Sequence, residues 1–184
     1  LSPAQWESLA FTAAPATAQH GNEWFDVVDE QDLVLRSEFR DVIHVNNLLH
    51  RAVHMLLFNA SGELYLQKRS IWKDRNPGLW DSSAAGHVDS GEDYITAARR
   101  ELQEELGIEA PALTPLTRLT PNESNGWEFI QAYQGRHEGP FEPAPMEVET
   151  GAFFPLEKIR HWAQKSPTDF SPVFLEILKT LPPR

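Results

Sequence analysis

The chain contains no cysteine. Disulfides, thiolate metal sites and a cysteine nucleophile are therefore excluded, although the absence says little about compartment. Long apolar runs are missing too. The longest uncharged one, Ala52 to Phe58, is about seven residues with a histidine inside it, and a membrane helix needs roughly 20. Positive charge is scarce: 16 Lys and Arg face 27 Asp and Glu, for a formal net charge of −11. That balance argues against a nucleic-acid polymer held on a broad basic face. A small anionic substrate stays open, because a bound cation can reverse the local sign. No Gly-rich Walker loop, His-Glu-x-x-His pair or Gly-x-Ser-x-Gly elbow is present, so the enzyme classes those motifs mark find no support.

What is present is enough for one domain. The chain has 184 residues, of which 41% are hydrophobic and six are Trp, sufficient for a core of ordinary size. Leu1 to His20, rich in Ala, Pro and Thr, reads as a poorly ordered extension. It lacks the basic start and apolar block of a signal peptide, so a cytoplasmic protein is expected. Residues 21–184 read as a single domain. Trp24 to Val28 and Leu33 to Leu35 read as short strands around a polar turn. Arg51 to Phe58 and Glu63 to Arg69 flank Asn59-Ala60-Ser61-Gly62 as a hairpin. Arg75 to Gly78 is a loop by its Asn, Pro and Gly. Glu92 to Leu106 is the clearest helix, with Gly107 as its stop. Trp127 to Gln134 and Gly151 to Phe154 read as further strands, and Leu156 to Gln164 and Pro172 to Leu181 as closing helices. The sum is a mixed α and β domain with helices on either side of a sheet.

Within Glu92 to Leu106, Ile95, Ala98, Leu102 and Leu106 form an apolar stripe. Glu101, Glu104 and Glu105 lie off it, brought side by side by their spacing. Like charges one turn apart repel by a few tenths of a kcal/mol in water, and by more when buried. A divalent cation with oxygen ligands would relieve that repulsion; alone, the cluster would read as an ordinary solvated acidic face. It is not alone. Gly86-His87-Val88-Asp89-Ser90-Gly91 feeds straight into Glu92, and a glycine there permits sharp turns and lets a carbonyl face a metal.

Gly86, Glu92 and the run Arg100-Glu101-Leu102-Gln103-Glu104-Glu105-Leu106-Gly107-Ile108 match the Nudix box at every defined position. A chance match has a probability of roughly 10⁻⁸ to 10⁻⁹ per window at average residue usage. The chain thus resembles the Nudix hydrolase family. The resemblance implies an α+β fold, an α/β/α sandwich with a mixed sheet, carrying a loop-helix-loop that binds Mg²⁺ or Mn²⁺. It implies Glu101, Glu104 and Glu105 as metal ligands with the Gly86 carbonyl, Arg100 orienting the glutamates and Glu92 bracing loop and helix. The implied chemistry is hydrolysis of a diphosphate linked to another group, nucleoside or otherwise organic. Glu101 is a candidate base, as are Glu147 and Glu149 on a later loop.

His50-Arg51-Ala52-Val53, Arg69 with Lys73, Pro77-Gly78-Leu79-Trp80 and Gly86-His87 further resemble the isopentenyl-diphosphate isomerases, which share the Nudix fold. By that resemblance Arg69 and Lys73 would bind the diphosphate. His44, His50, His87 and Glu128 would form a second metal site, with Gly126 where another glutamate is expected. Imidazoles with a carboxylate suit zinc or a transition metal. Two departures speak against isomerase activity. Ala85 stands where the isomerase has its proton-transferring cysteine, and Val173 stands where it has a tryptophan facing a carbocation. A non-catalytic diphosphate-binding module is the remaining alternative, disfavoured by the clustered carboxylates. Trp72 and Trp127, on the loops Ile71 to Asn76 and Ser124 to Trp127, could stack on the leaving group or belong to the rim.

Overall fold

The computed structural model describes residues 23–182; the expected N-terminal extension falls outside them. A two-stranded antiparallel sheet, β1 (Trp24–Val28) with β2 (Val34–Phe39), leads into the short helix α1 (Arg40–Val45). The main sheet has seven strands. They are β3 (His50–Phe58), β4 (Leu64–Arg69), β5 (Trp80–Asp81), β6 (Ala84–His87), β7 (Thr114–Leu119), β8 (Glu128–Arg136) and β9 (Val148–Phe154). β3 pairs in parallel with β8 and antiparallel with β4 and β6, so the sheet is mixed. Helix α2 (Tyr94–Leu106) covers one face, and α3 (Leu156–Lys165) and α4 (Pro172–Thr180) cover the other. Among the described residues, no helix is long and apolar enough to cross a membrane.

Strand β3 explains the two cores. Side chains alternate across a strand. Ala52, Leu56 and Phe58 pack with α3 and α4, while Val53, Met55 and Leu57 pack with Ala98, Leu102 and Leu106 of α2. Burial on both faces is why Ala52 to Phe58 reads as a continuous apolar run rather than an alternating one. His54 joins neither cluster, and alternation puts it on the α4 side.

Helix α2 starts two residues later than its periodicity predicts. Asp93 is its N-cap and accepts from the Thr96 N–H at 2.8 Å, which leaves Glu92 in the preceding loop. Gly107 ends it with φ +66°, the left-handed conformation that glycine adopts without penalty. The glutamates do not form the solvated acidic face that the helix taken alone would suggest. Glu101 and Glu105 are buried along with Ala97, Ala98, Leu102 and Leu106, and only Glu104 is open to water. The reach of β2 to Phe39, helix α1 and strands β5, β6 and β7 were not legible in advance. β7 carries Pro115 beside a register shift, a residue that weakens any strand signal and is tolerated at irregular sheet positions.

Leu102 is fully buried between α2 and the sheet. Leu102→Ala is expected to destabilise the fold by about 2–5 kcal/mol. Val45→Ala, at a position 81% exposed, should change stability by no more than about 0.5 kcal/mol. Denaturant unfolding of the two variants checks the contrast.

Candidate active site

Arg100 organises the α2 side. Its guanidinium donates to Glu92 at 2.9 and 3.0 Å, to Glu101 at 2.7 Å, to Glu104 at 3.2 Å and to the His87 carbonyl at 2.9 Å. Glu92 also accepts from the Asp89 N–H at 3.1 Å, so one carboxylate ties the loop to the helix through Arg100. Glu105 turns away from this hub. It accepts from Gln67 Nε2 at 2.8 Å, from the Ala85 N–H at 3.0 Å and from Lys73 Nζ at 3.4 Å. Burial, and then the neighbouring Glu105, pushes the Glu101 carboxyl up to about 8 against the pull of Arg100. Two buried carboxylates on adjacent turns with that upward push form an oxygen donor set suited to a hard divalent cation.

Gly86 lies within β6 rather than at a turn. A Cβ there would meet the Glu101 carboxyl carbon at 2.0 Å, so any side chain at this position would push that carboxylate aside. The same strand faces a second hollow. By alternation Ala85 and His87 point to the opposite side, where a cleft opens beneath the N-terminus of α4. Arg40, Arg69, Lys73 and Arg75 line it. Arg69 donates to the Arg75 carbonyl at 3.0 and 3.2 Å and to Asp81 at 3.4 Å. Lys73 pairs with Glu147 as well as Glu105. Arg40 bridges Glu23 at 3.1 Å and Asp74 at 2.7 Å. Arg40, Lys73, Ala85, Gly86 and His87 border both hollows, so carboxylates and cations meet along one seam.

Of the two candidate bases expected on a later loop, Glu149 lies within β9, and only Glu147, just before it, reaches this seam. Burial pushes its carboxyl above the ordinary value, with Lys73 pulling the other way. Glu149 pairs with Lys68 at 3.0 Å outside both hollows. From the two predicted recognition loops, Asp74, Arg75, Asn76, Ser124 and Asn125 line the cleft, but neither Trp72 nor Trp127 does.

The histidines expected to hold a second metal do converge. Ligand atoms of His44, His50, His87 and Glu128 lie within 4.8 Å of one another, and the three ring centroids are 5.2 Å apart pairwise. His44 Nε2 and His50 Nε2 are buried without a hydrogen-bond partner, a costly state that a Lewis acid relieves. Burial, and then neighbouring imidazoles for His44, holds His44 and His87 down to about 3. Both rings are thus neutral and ligand-ready. The residues fit a transition metal or zinc. At Gly126, where a second glutamate is expected by resemblance, a Cβ would lie 2.0 Å from Arg75 Nη2. The guanidinium fills that space and donates to Glu128 at 3.2 Å, so a cation stands where a carboxylate would.

Sequence reasoning missed Arg40, Arg75, His54, Gln67 and Asp81. Gln67 carried a usable signal, a polar residue within the β4 run Leu64–Arg69 whose other early positions are apolar. Arg40 had none, since a surface cation looks the same in one dimension; Arg75 stood in the loop Ile71 to Asn76 without being singled out. The assembled geometry makes two predictions. Gly86→Ala displaces the Glu101 carboxylate, and Mn²⁺ affinity measured by electron paramagnetic resonance should fall about 10- to 100-fold; an unchanged affinity would detach Glu101 from the metal. In Co²⁺ titrations followed by visible absorption, His50→Ala should remove the histidine-site bands, whereas Arg75→Ala should tighten binding several-fold by freeing Glu128.

Comparison with known proteins agrees with this geometry. A NUDIX domain profile matches residues 48–174. The chain is 32% identical over 165 residues to an isopentenyl-diphosphate Delta-isomerase of Serratia proteamaculans, covering 87% of this chain and 92% of the relative. It is 34% identical over 152 residues to an uncharacterized Nudix hydrolase of Pseudomonas aeruginosa, covering 83% and 89%. A crystal structure of a Deinococcus radiodurans protein superposes with a TM-score of 0.75 at 26% identity, over 87% of this chain and 100% of that one. With a complete box, a mixed sheet between helices and these relatives, the chain belongs to the Nudix family, in the group similar to the isopentenyl-diphosphate isomerases.

Proposed function

We propose that the protein is a metal-dependent hydrolase of an organic diphosphate, cleaving the phosphoanhydride linkage. The observation that carries the reading is the content of β6. Its α2 face sets Gly86 against the Glu101 carboxylate, in a hollow that Glu104 and Glu105 also line, while its other face carries Ala85, a side chain with no proton to give. Isomerisation of a carbon skeleton needs a group that moves a proton at carbon, and a methyl cannot. Hydrolysis needs only water, charge neutralisation and an acceptor for one proton.

In this reading Glu101, Glu104 and Glu105, with the Gly86 carbonyl, hold Mg²⁺ or Mn²⁺. When bound, such an ion supplies neutralisation of phosphate oxygens and acidification of a water. Arg100 keeps the glutamates in place, and Glu92 keeps Arg100 in place. Arg69 and Lys73, with Arg40 and Arg75 beside them, bind the diphosphate. Glu147 takes the proton of the attacking water, supported by its place on the seam and its upward-shifted pKa. His44, His50, His87 and Glu128 form a second cation site on the cleft side. That cluster, together with the isomerase relative, also favours a second reading, residual isomerase chemistry, which Ala85 and Val173 oppose.

Phosphorus NMR with Mg²⁺ or Mn²⁺ and a panel of isopentenyl diphosphate, nucleoside diphosphate sugars, dinucleotides and coenzyme A tests the proposal. The wild type is expected to split at least one of them. Glu105→Gln should lose turnover by at least about 100-fold, as expected when preorganised charge beside the reacting phosphate is removed. Full metal-dependent turnover by that variant would contradict the ligand assignment.

A further inference from the structure

The cleft has a floor that the hydrolytic machinery does not use. His54 lies there, 5% exposed, directly across from Ala85 in the β3–β6 register. Side chains at such paired positions point to the same side of a sheet and are near neighbours. The imidazole is anchored from behind. Its Nδ1 is 2.9 Å from Ser82 Oγ and 3.7 Å from Asp81 Oδ1. Asp81 is itself fixed by the Ser82 N–H at 2.8 Å and by Arg69 at 3.4 Å. Nδ1 is thus engaged by Ser82, which leaves Nε2 as the ring nitrogen available to a ligand. Burial lowers the pKa of the ring, opposed by Asp81 and Glu128. Among the described residues no hydrogen bond to Nε2 is present, and His54 lines the cleft.

The rest of the wall has the same character. Apart from Gly86, only Ala52, Ala85 and Val173 among the lining residues are non-polar; every other side chain is polar or charged. A hydrocarbon tail laid against His54 would cover its ring nitrogen and return no hydrogen bond. A hydroxyl or amine on the substrate would find a fixed hydrogen-bonding partner there.

We propose that His54 Nε2 reads a hydroxyl or amine on the organic part of the substrate. The protein then takes diphosphates of hydroxyl-bearing groups and discriminates against purely hydrocarbon ones. Asp81 and Ser82 are positioning residues for this contact, and Arg69 joins it to the diphosphate end through Asp81. The inference deepens the diphosphate reading above and rests on it.

Isothermal titration calorimetry in Ca²⁺ tests it with four probes: pyrophosphate, dimethylallyl diphosphate, its counterpart with one terminal hydroxyl, and UDP-glucose. The wild type should bind at least one hydroxylated probe about 10- to 100-fold more tightly than dimethylallyl diphosphate, the range expected for one unmet buried hydrogen bond. His54→Phe, which keeps a ring and removes both nitrogens, should lose that preference while pyrophosphate affinity stays the same. His54→Gln, which restores a hydrogen-bonding group, should keep it. Equal or tighter binding of the hydrocarbon probe by the wild type overturns the proposal even if His54→Phe does not fold. A preference that survives in folded His54→Phe overturns it too. Failure of the wild type to bind pyrophosphate and every organic probe would remove the diphosphate reading itself.

Discussion

Two carboxylates one helical turn apart, both withdrawn from water, set the terms for everything around them. For Glu101, burial and repulsion from Glu105 act in the same direction, against ionisation. The surrounding residues answer that problem in different ways. Arg100 takes Glu101 and Glu104 on one side. Lys73, Gln67 and a backbone N–H take Glu105 on the other. Gly86 gives up its side chain so that Glu101 has somewhere to go. These partners hold each carboxylate in place, and the hydrolytic reading rests on where the three line one hollow.

Its position depends on a four-residue strand. β6 presents Gly86 to the carboxylates and Ala85 and His87 to the cationic cleft. Arg40 and Lys73 border both spaces. A diphosphate on the cations would therefore lie within reach of the box, with its organic end directed along the cleft toward β3 and the start of α4. The histidine cluster lies on the cleft side of the same strand through His87. There a guanidinium from Arg75 fills the space above Gly126. The site thus departs from an isomerase at Ala85, at Gly126 and at Val173, all within one neighbourhood.

Much of this was legible in the chain itself. The box is a spacing pattern, and spacing survives in one dimension; so do the β3–β4 hairpin, the body of α2 and the closing helices. Burial of Glu101 and Glu105 was not legible, because helical periodicity ranks glutamate as outward-facing and cannot see the polar partners that sheet strands bring to it. Helix α1 is short, with Phe39 as an N-cap lacking a side-chain hydrogen bond, so nothing announced it. Arg75 and His54 matter through the strands and loops they meet across the fold, Gly126 and Ala85 respectively. Such contacts are tertiary, and no local pattern encodes them.

The central claim is that water attacks phosphorus here and no proton moves at carbon. Turnover in ¹⁸O-labelled heavy water, with phosphorus and proton NMR on the products, reads both events at once. The account predicts ¹⁸O in a released phosphate and no deuterium in the organic group. Deuterium in the carbon chain, with both phosphates retained and unlabelled, would contradict it.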